Sequence, residues 1–196
     1  MTHKERQPTS ILPKSILVQL CVFCVSAITL AGCVSPTTQR VDLDPAAVEK
    51  EAAKQRELAL RDFHVQRNRL WDVAFPILLS GVPLCGKDVR PKLGVLLHNK
   101  YSYEDEWREI AELLFSVDEL LQFSHIPTGS PAANTGIKEG DTLIKLGGIE
   151  PQGADAMEDF NEAIEDLLDD GEQTIELTIS GFDGTERVQQ ITPVEV

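Results

Sequence analysis

The sequence predicts an α+β fold, in which short strands alternate with amphipathic helices behind one long N-terminal helix. Three observations carry this. Apolar or alternating runs of strand length recur at Lys92–His98, Leu120–Ile126, Thr142–Leu146 and Thr174–Ile179, with Glu186–Thr192 as the return of a hairpin, and Gly, Pro or Asp punctuate the stretches between them. Between them, apolar residues fall at helical spacing after Ser102 (Trp107, Ile110, Ala111, Leu114) and within Asp155–Leu168 (Phe160, Ala163, Ile164, Leu167). Third, the stretch Ser130–Asp141 concentrates turn chemistry: a Ser-Pro start suited to a helical cap, Gly136, and the pair Gly140-Asp141.

The elements follow in order. Lys4, Arg6 and Lys14 precede an apolar run, Ile16–Leu30, whose 15 residues fall short of the ~20 needed to cross a bilayer. That pattern reads as a signal peptide. Ser35–Arg40 is a polar tether. Asp44-Pro45 is a helix start, an N-cap followed by proline at the first position. From there Ala52, Ala59, Phe63, Gln66, Leu70, Val73 and Ile77 recur in steps of three and four, which predicts a helix over about Pro45–Ala74 with that stripe inward, ending before Pro76. A stable zipper along it is not expected, because Arg56 and Gln66 interrupt the stripe; a stalk packing its later half on the domain is. Leu78–Pro91 is a Gly- and Pro-bearing connector holding Cys85, which reads as a buried apolar residue or one wanting an external partner. Phe182-Asp183-Gly184-Thr185 joins the last two strands as a hairpin turn.

Composition excludes several functions. The chain has 196 residues, a net charge of -14 and 6% aromatics, so neither a basic patch nor a stacking platform for nucleic acid is present. The four histidines (His3, His64, His98, His125) have no metal-ligand spacing, and His98 and His125 read as ordinary strand-end residues. No His-Glu-x-x-His, Gly-x-Ser-x-Gly or P-loop occurs. The acidic clusters Glu162/Glu165/Asp166 and Asp169-Asp170 read as a solvated helix face. No catalytic residue, metal ligand or cofactor is expected.

The run SPAANTGIKEGDTLIKLGG (Ser130–Gly148) closely resembles the signature of bacterial PDZ domains, with Leu146-Gly147-Gly148 standing where that signature usually has Asn-Gly. Over roughly Arg90–Val194 the element order is similar to the PDZ modules of periplasmic high-temperature-requirement serine proteases. The resemblance implies a partly open β-barrel or sandwich with two helices, and peptide binding by strand addition. The carboxylate-capturing loop would be Lys92-Leu93-Gly94-Val95, with Lys92 or Arg90 adding positive charge. The receiving strand would be Val95–His98, including Leu96 and Leu97. Across from it would lie the helix carrying Met157, Phe160 and Ile164. Gly94 suits a place where a backbone must approach its ligand closely.

Leu30-Ala31-Gly32-Cys33 resembles the bacterial lipobox, which implies cleavage before Cys33 and lipid attachment to it; Val34 after the cysteine favours the outer membrane, facing the periplasm. The expected organisation is signal peptide 1–32, lipidated tether 33–44, helix and connector 45–90, PDZ domain 91–196. The expected function is a non-enzymatic, membrane-anchored periplasmic adaptor in envelope protein quality control, binding peptide or protein C-termini, with an envelope protease as a further partner. The whole layout also resembles the front part of PDZ-containing lipoprotein zinc metalloproteases, so two alternatives stand beside it: the substrate-binding front end of such a protease, and an envelope scaffold with a closed groove.

Overall fold

The computed structural model describes residues 44–196 and, ahead of them, Gln19 alone; the expected signal peptide, lipobox and Cys33 lie outside the described residues. The described part is one compact unit. Its elements are α1 (Pro45–Cys85), β1 (Pro91–Lys92), β2 (Leu96–His98), a 3-10 turn (Lys100–Ser102), α2 (Asp105–Phe115), β3 (Gln122–His125), β4 (Thr142–Leu146), α3 (Ala156–Asp169), β5 (Ile175–Ser180), β6 (Glu186–Ile191) and β7 (Val194–Glu195). A five-stranded antiparallel sheet runs β2-β3-β4-β5-β6, and β1 pairs with β7 in a second, two-stranded sheet. The two sheets stay open and do not close into a barrel. The α+β class expected from the sequence is present, as is the alternating order of short strands and helices behind one long helix. None of the described helices is long and apolar enough to cross a membrane.

Alternation builds the core. Along β5, Ile175, Leu177 and Ile179 are fully buried while Glu176 faces out, as a pleated strand with one solvated face requires. They meet Phe123, Leu143 and Leu146 from neighbouring strands, and α3 closes over them with Ala156, Phe160 and Ile164. Strand boundaries shift from the sequence reading in one informative place. Lys92–His98 is not one strand: Gly94, at φ 69°, breaks it into β1 and β2, which join different sheets.

The signature stretch forms the predicted turn, a short 3-10 segment at Ala132–Asn134 ended by Gly136 at φ 80°. What holds it is Asp141. Its carboxylate is buried, accepts the Lys138 N–H at 2.8 Å and is gripped by the Arg187 guanidinium from β6. A charged acceptor between a backbone donor and a guanidinium is a strong, directional tie.

The long helix differs most from expectation. Its start is as read: Pro45 is the first residue, and the Asp44 side chain accepts from the Ala46 N–H at 3.1 Å. It then continues through Pro76 and Pro83 to Cys85. An interior proline costs a helix about 3 kcal/mol, and here burial of Phe75 against the domain holds the turn that Pro76 would otherwise open. The inward face is also a different one. Leu60, His64 and Phe75 are buried, whereas Phe63, Leu70, Val73 and Ile77 of the predicted stripe are 57–64% exposed. The domain surface offered to α1 decides this, because it presents hydroxyls and imidazoles as well as apolar groups.

That surface supplies a one-way chain of hydrogen bonds. Gln122 Oε1 can only accept, so His98 Nε2 donates to it (3.0 Å) and His98 Nδ1 is left to accept from the Tyr103 hydroxyl (2.6 Å). The hydroxyl oxygen then accepts from His64 Nε2 (2.9 Å), and His64 Nδ1 accepts from Arg67 (3.2 Å). Every link is satisfied with both rings neutral. Burial is the main cause holding His64 and His98 down to about 4, helped at both rings by the Arg67 charge and opposed at His98 by the Gln122 hydrogen bond. Burial likewise pushes the Tyr103 phenol up to about 12. Arg67 also donates to Ser124 Oγ, whose hydroxyl donates to the Leu96 carbonyl. The chain thus runs from α1 to β2 and β3. The two histidines read as strand-end residues do close β2 and β3, and both are engaged there: His98 is in this chain, and both ring nitrogens of His125 contact carboxylates, of Glu139 (2.6 Å) and of Asp72 on α1 (2.9 Å).

Asp141→Ala leaves Arg187 and the Lys138 N–H without their acceptor and is expected to lower unfolding free energy by about 3 kcal/mol, measured by urea denaturation at neutral pH. The histidine chain gives a pH dependence of known sign. Because folded-state values near 4 lie below the unfolded 6.5, its contribution is complete above pH 6.5 and disappears as pH falls toward 4. The magnitude is of order 2–3 kcal/mol per histidine. In denaturation at a series of pH values, His64→Gln should lose roughly half of the wild-type slope in that window relative to the His64→Gln/His98→Gln double variant; an unchanged slope would refute the neutral chain.

Candidate functional site

β2 is an end strand of its sheet, and beside it lies a cavity of about 300 Å³. All nine peptide-contact residues expected from the sequence line this cavity: Lys92, Leu93, Gly94, Val95, Leu96 and Leu97 from the loop and strand, and Met157, Phe160 and Ile164 from α3. Helical spacing places the last three on one face. They sit opposite β2 because α3 packs across the sheet, burying Phe160 and Ile164 while leaving Met157 partly accessible.

The sequence did not reveal the other walls. Trp71, Phe75 and Leu78 of α1 line the same cavity, as do Pro127, Asn161 and Val196. Val196 is held there by backbone hydrogen bonds in both directions with Arg90, each 3.0 Å. Arg90 reaches toward Glu165 of α3 (3.8 Å) at the cavity edge, with both side chains largely exposed, so this pair contributes little to stability. The Lys92 side chain makes no ion pair among the described residues and is free to meet a negative group. The signal for the α1 wall was Trp71 and Phe75 themselves, large aromatics placed on the helix away from the assumed stripe.

The structure gives Gly94 a role that the sequence reading lacked. A Cβ at this position would stand 2.3 Å from the Cβ of Ser130 and 3.0 Å from the Phe75 ring, on a backbone at φ 69°. Glycine is required here by the molecule's own packing, whatever approaches from the cavity. The Leu93 carbonyl accepts from the Ala132 N–H at 3.1 Å, so the loop and the signature turn are fastened at this point.

A second hollow of about 540 Å³ lies beside the C-terminal end of β2. It is lined by Phe63 and Arg67 of α1, by Leu97 and His98, and by Tyr103 and Trp107. Elsewhere, Cys85 is an exposed free thiol at the end of α1, not a buried one. The acidic residues of α3 are all exposed, and no metal-binding cluster occurs among the described residues.

No family model and no curated protein matches this chain. Among solved structures it is similar to the HtrA3 PDZ domain bound to a phage-derived ligand (FGRWV), at 16% identity and a TM-score of 0.40, covering 55% of this chain and 89% of that one. It is also similar to the HtrA-type protease AlgW with a decapeptide (17%, TM-score 0.39, 61% and 33%). A third is a PDZ domain protein from Parabacteroides distasonis (18%, TM-score 0.36, 55% and 21%). The chain thus spans a third or less of the length of the latter two.

Proposed function

We propose that this protein is a binding module that takes an extended peptide onto the edge of β2. The single observation that carries the reading is the coincidence of an end strand with an apolar cavity. Strand edges are usually shielded from further pairing; this one opens into a hollow whose walls are mostly aliphatic and aromatic. An incoming strand would gain main-chain hydrogen bonds along Leu96–His98 and seat apolar side chains against Met157, Phe160 and Ile164. Its terminal carboxylate would meet backbone N–H groups of Leu93–Val95 and the charge of Lys92. At about 300 Å³ the hollow suits one or two terminal side chains, the rest of the peptide lying on the surface. The chemistry on offer is recognition, with no bond made or broken.

The cellular setting belongs to the same proposal. Lipid attachment at Cys33 would hold the module at a bilayer, at the outer membrane facing the periplasm. There a module for peptide or protein C-termini would act as an adaptor in envelope protein quality control, alongside a protease. The support is the Leu30–Cys33 motif behind a charged lead and a short apolar run.

Binding is tested by fluorescence polarisation with a library of peptides ending in a free carboxylate, each hit repeated as the C-terminal amide. Micromolar affinity that drops tenfold or more on amidation is expected. Met157→Glu, at a partly accessible wall position, should abolish it with little change in unfolding midpoint. Absence of any hit in a diverse library would end the peptide reading. For location, Cys33→Ser should move the protein from the membrane pellet to the soluble fraction, and a variant that remains in the pellet would overturn the anchor.

A further inference from the structure

We infer that the outer face of α1 is a pairing surface for a second copy of this chain, with the two helices antiparallel. The stripe Phe63, Leu70, Val73 and Ile77, continued by Leu84, is 57–90% exposed and follows seven-residue spacing from 63 through 70 and 77 to 84. That period is the one that keeps a seam facing a partner helix along its whole length. The domain leaves it exposed, because the domain takes the adjoining face through Leu60, His64 and Phe75; of the stripe, Ala59 and Phe63 border domain residues at the second hollow. The stripe is asymmetric along the helix: its N-terminal half carries Ala52 and Ala59 where its C-terminal half carries large residues.

Asymmetry and charge select one arrangement. When two α1 helices are laid antiparallel with Pro45–Cys85 overlapping over almost its full length, Ile77 falls opposite the partner's Ala52. Leu70 then faces the partner's Ala59, and Phe63 the partner's Gln66. Two of these pairs set alanine against a large residue, whereas Phe63 meets Gln66 and, in the same register, Val73 meets the partner's Arg56, the two polar positions that keep this seam weaker than a continuous zipper. The same register brings Asp62 beside the partner's Arg69 and, by the two-fold axis, Arg69 beside the partner's Asp62. Both residues are exposed. The neighbouring charges are taken within the helix, Arg56 by Glu49 and Arg61 by Glu57, and Asp62 and Arg69 have no ionic partner among the described residues. A parallel pairing would instead direct Asp62 toward the partner's Arg67, which is already committed inward to His64 and Ser124. Pro76 and Pro83 sit seven apart on the flank of the seam, so neither enters it. A two-fold pairing of this kind is closed, using the same surface twice.

Sedimentation velocity tests this on residues 44–196, the compact unit that carries the whole described core, and in parallel on the full chain in mild detergent. The expected result is a concentration-dependent dimer in both. Asp62→Arg and Arg69→Asp should each weaken it about five- to tenfold, as two like-charge contacts replace two attractive ones, and the double variant should restore it to within about twofold. Leu70→Glu should give a monomer with an unchanged far-ultraviolet circular dichroism spectrum. A wild-type monomer up to about 100 µM, a dimer the charge exchange fails to restore, or association seen only when residues 1–43 are present would each overturn the inference. The readout is independent of whether the cavity binds peptide.

Discussion

The close approach of three segments at Gly94 is the constraint on which the rest of the structure depends. The loop before β2, the signature turn at Ser130 and the Phe75 ring of α1 converge there, at distances that leave no room for a side chain on residue 94. Replacing hydrogen by methyl would drive it into the Ser130 Cβ, which moves only with its own backbone, and against the tip of the Phe75 ring, and the positive φ adds its own cost. From this junction the chain departs in two directions, β1 into the small sheet with β7 and β2 into the edge of the large one. The cavity is what lies between those diverging strands, α3 and the helix that supplies Phe75.

The histidine chain does for orientation what Gly94 does for proximity. An apolar helix face can slide or rotate on an apolar surface at small cost, whereas four hydrogen bonds of fixed polarity cannot be satisfied in a second register. This explains why α1 turns His64 and Arg67 inward and leaves a more apolar stripe in water. The desolvated polar groups of β2, β3 and Tyr103 need partners, and only that face supplies them. His98 lies in β2, so the strand read as the peptide's docking edge is fixed to α1 through its side chains while its backbone edge stays open.

Much of this was legible in the sequence. The alternation in β5, the apolar face of α3 and the glycine-punctuated turn ahead of β4 follow from periodicity and turn chemistry, and the nine expected cavity-lining residues from what the PDZ resemblance implied. What the sequence hid are the places where tertiary contacts override a local rule. Pro76 signals a helix end, and burial of Phe75 overrides it. The stripe from Phe63 to Ile77 signals an inward face, and the polar chain overrides it. Lys92–His98 looks like one strand, since the two-sheet split at Gly94 depends on Ser130, far away in sequence. His64, Tyr103, His98 and Gln122 show no common spacing, because their chain exists only once three elements have packed.

These overrides have a common origin in α1, which serves two surfaces at once. Its inner face closes the cavity with Trp71 and Phe75 and completes the hydrogen-bond chain; its outer face presents the seam. The two faces share no residue that both must use, Ala59 and Phe63 being the nearest cases through the second hollow. A second copy on the outer face therefore leaves the cavity accessible, and two cavities would be carried at fixed separation by an antiparallel helix pair. That geometry changes what peptide binding means. A target displaying two suitable termini, or an oligomeric one, would engage both cavities, and the second engagement would be intramolecular, with an effective concentration set by the rigid helices instead of a flexible linker. Weak binding at each site is then enough for retention. This fits a cavity of about 300 Å³, which offers room for only a short stretch of any one partner.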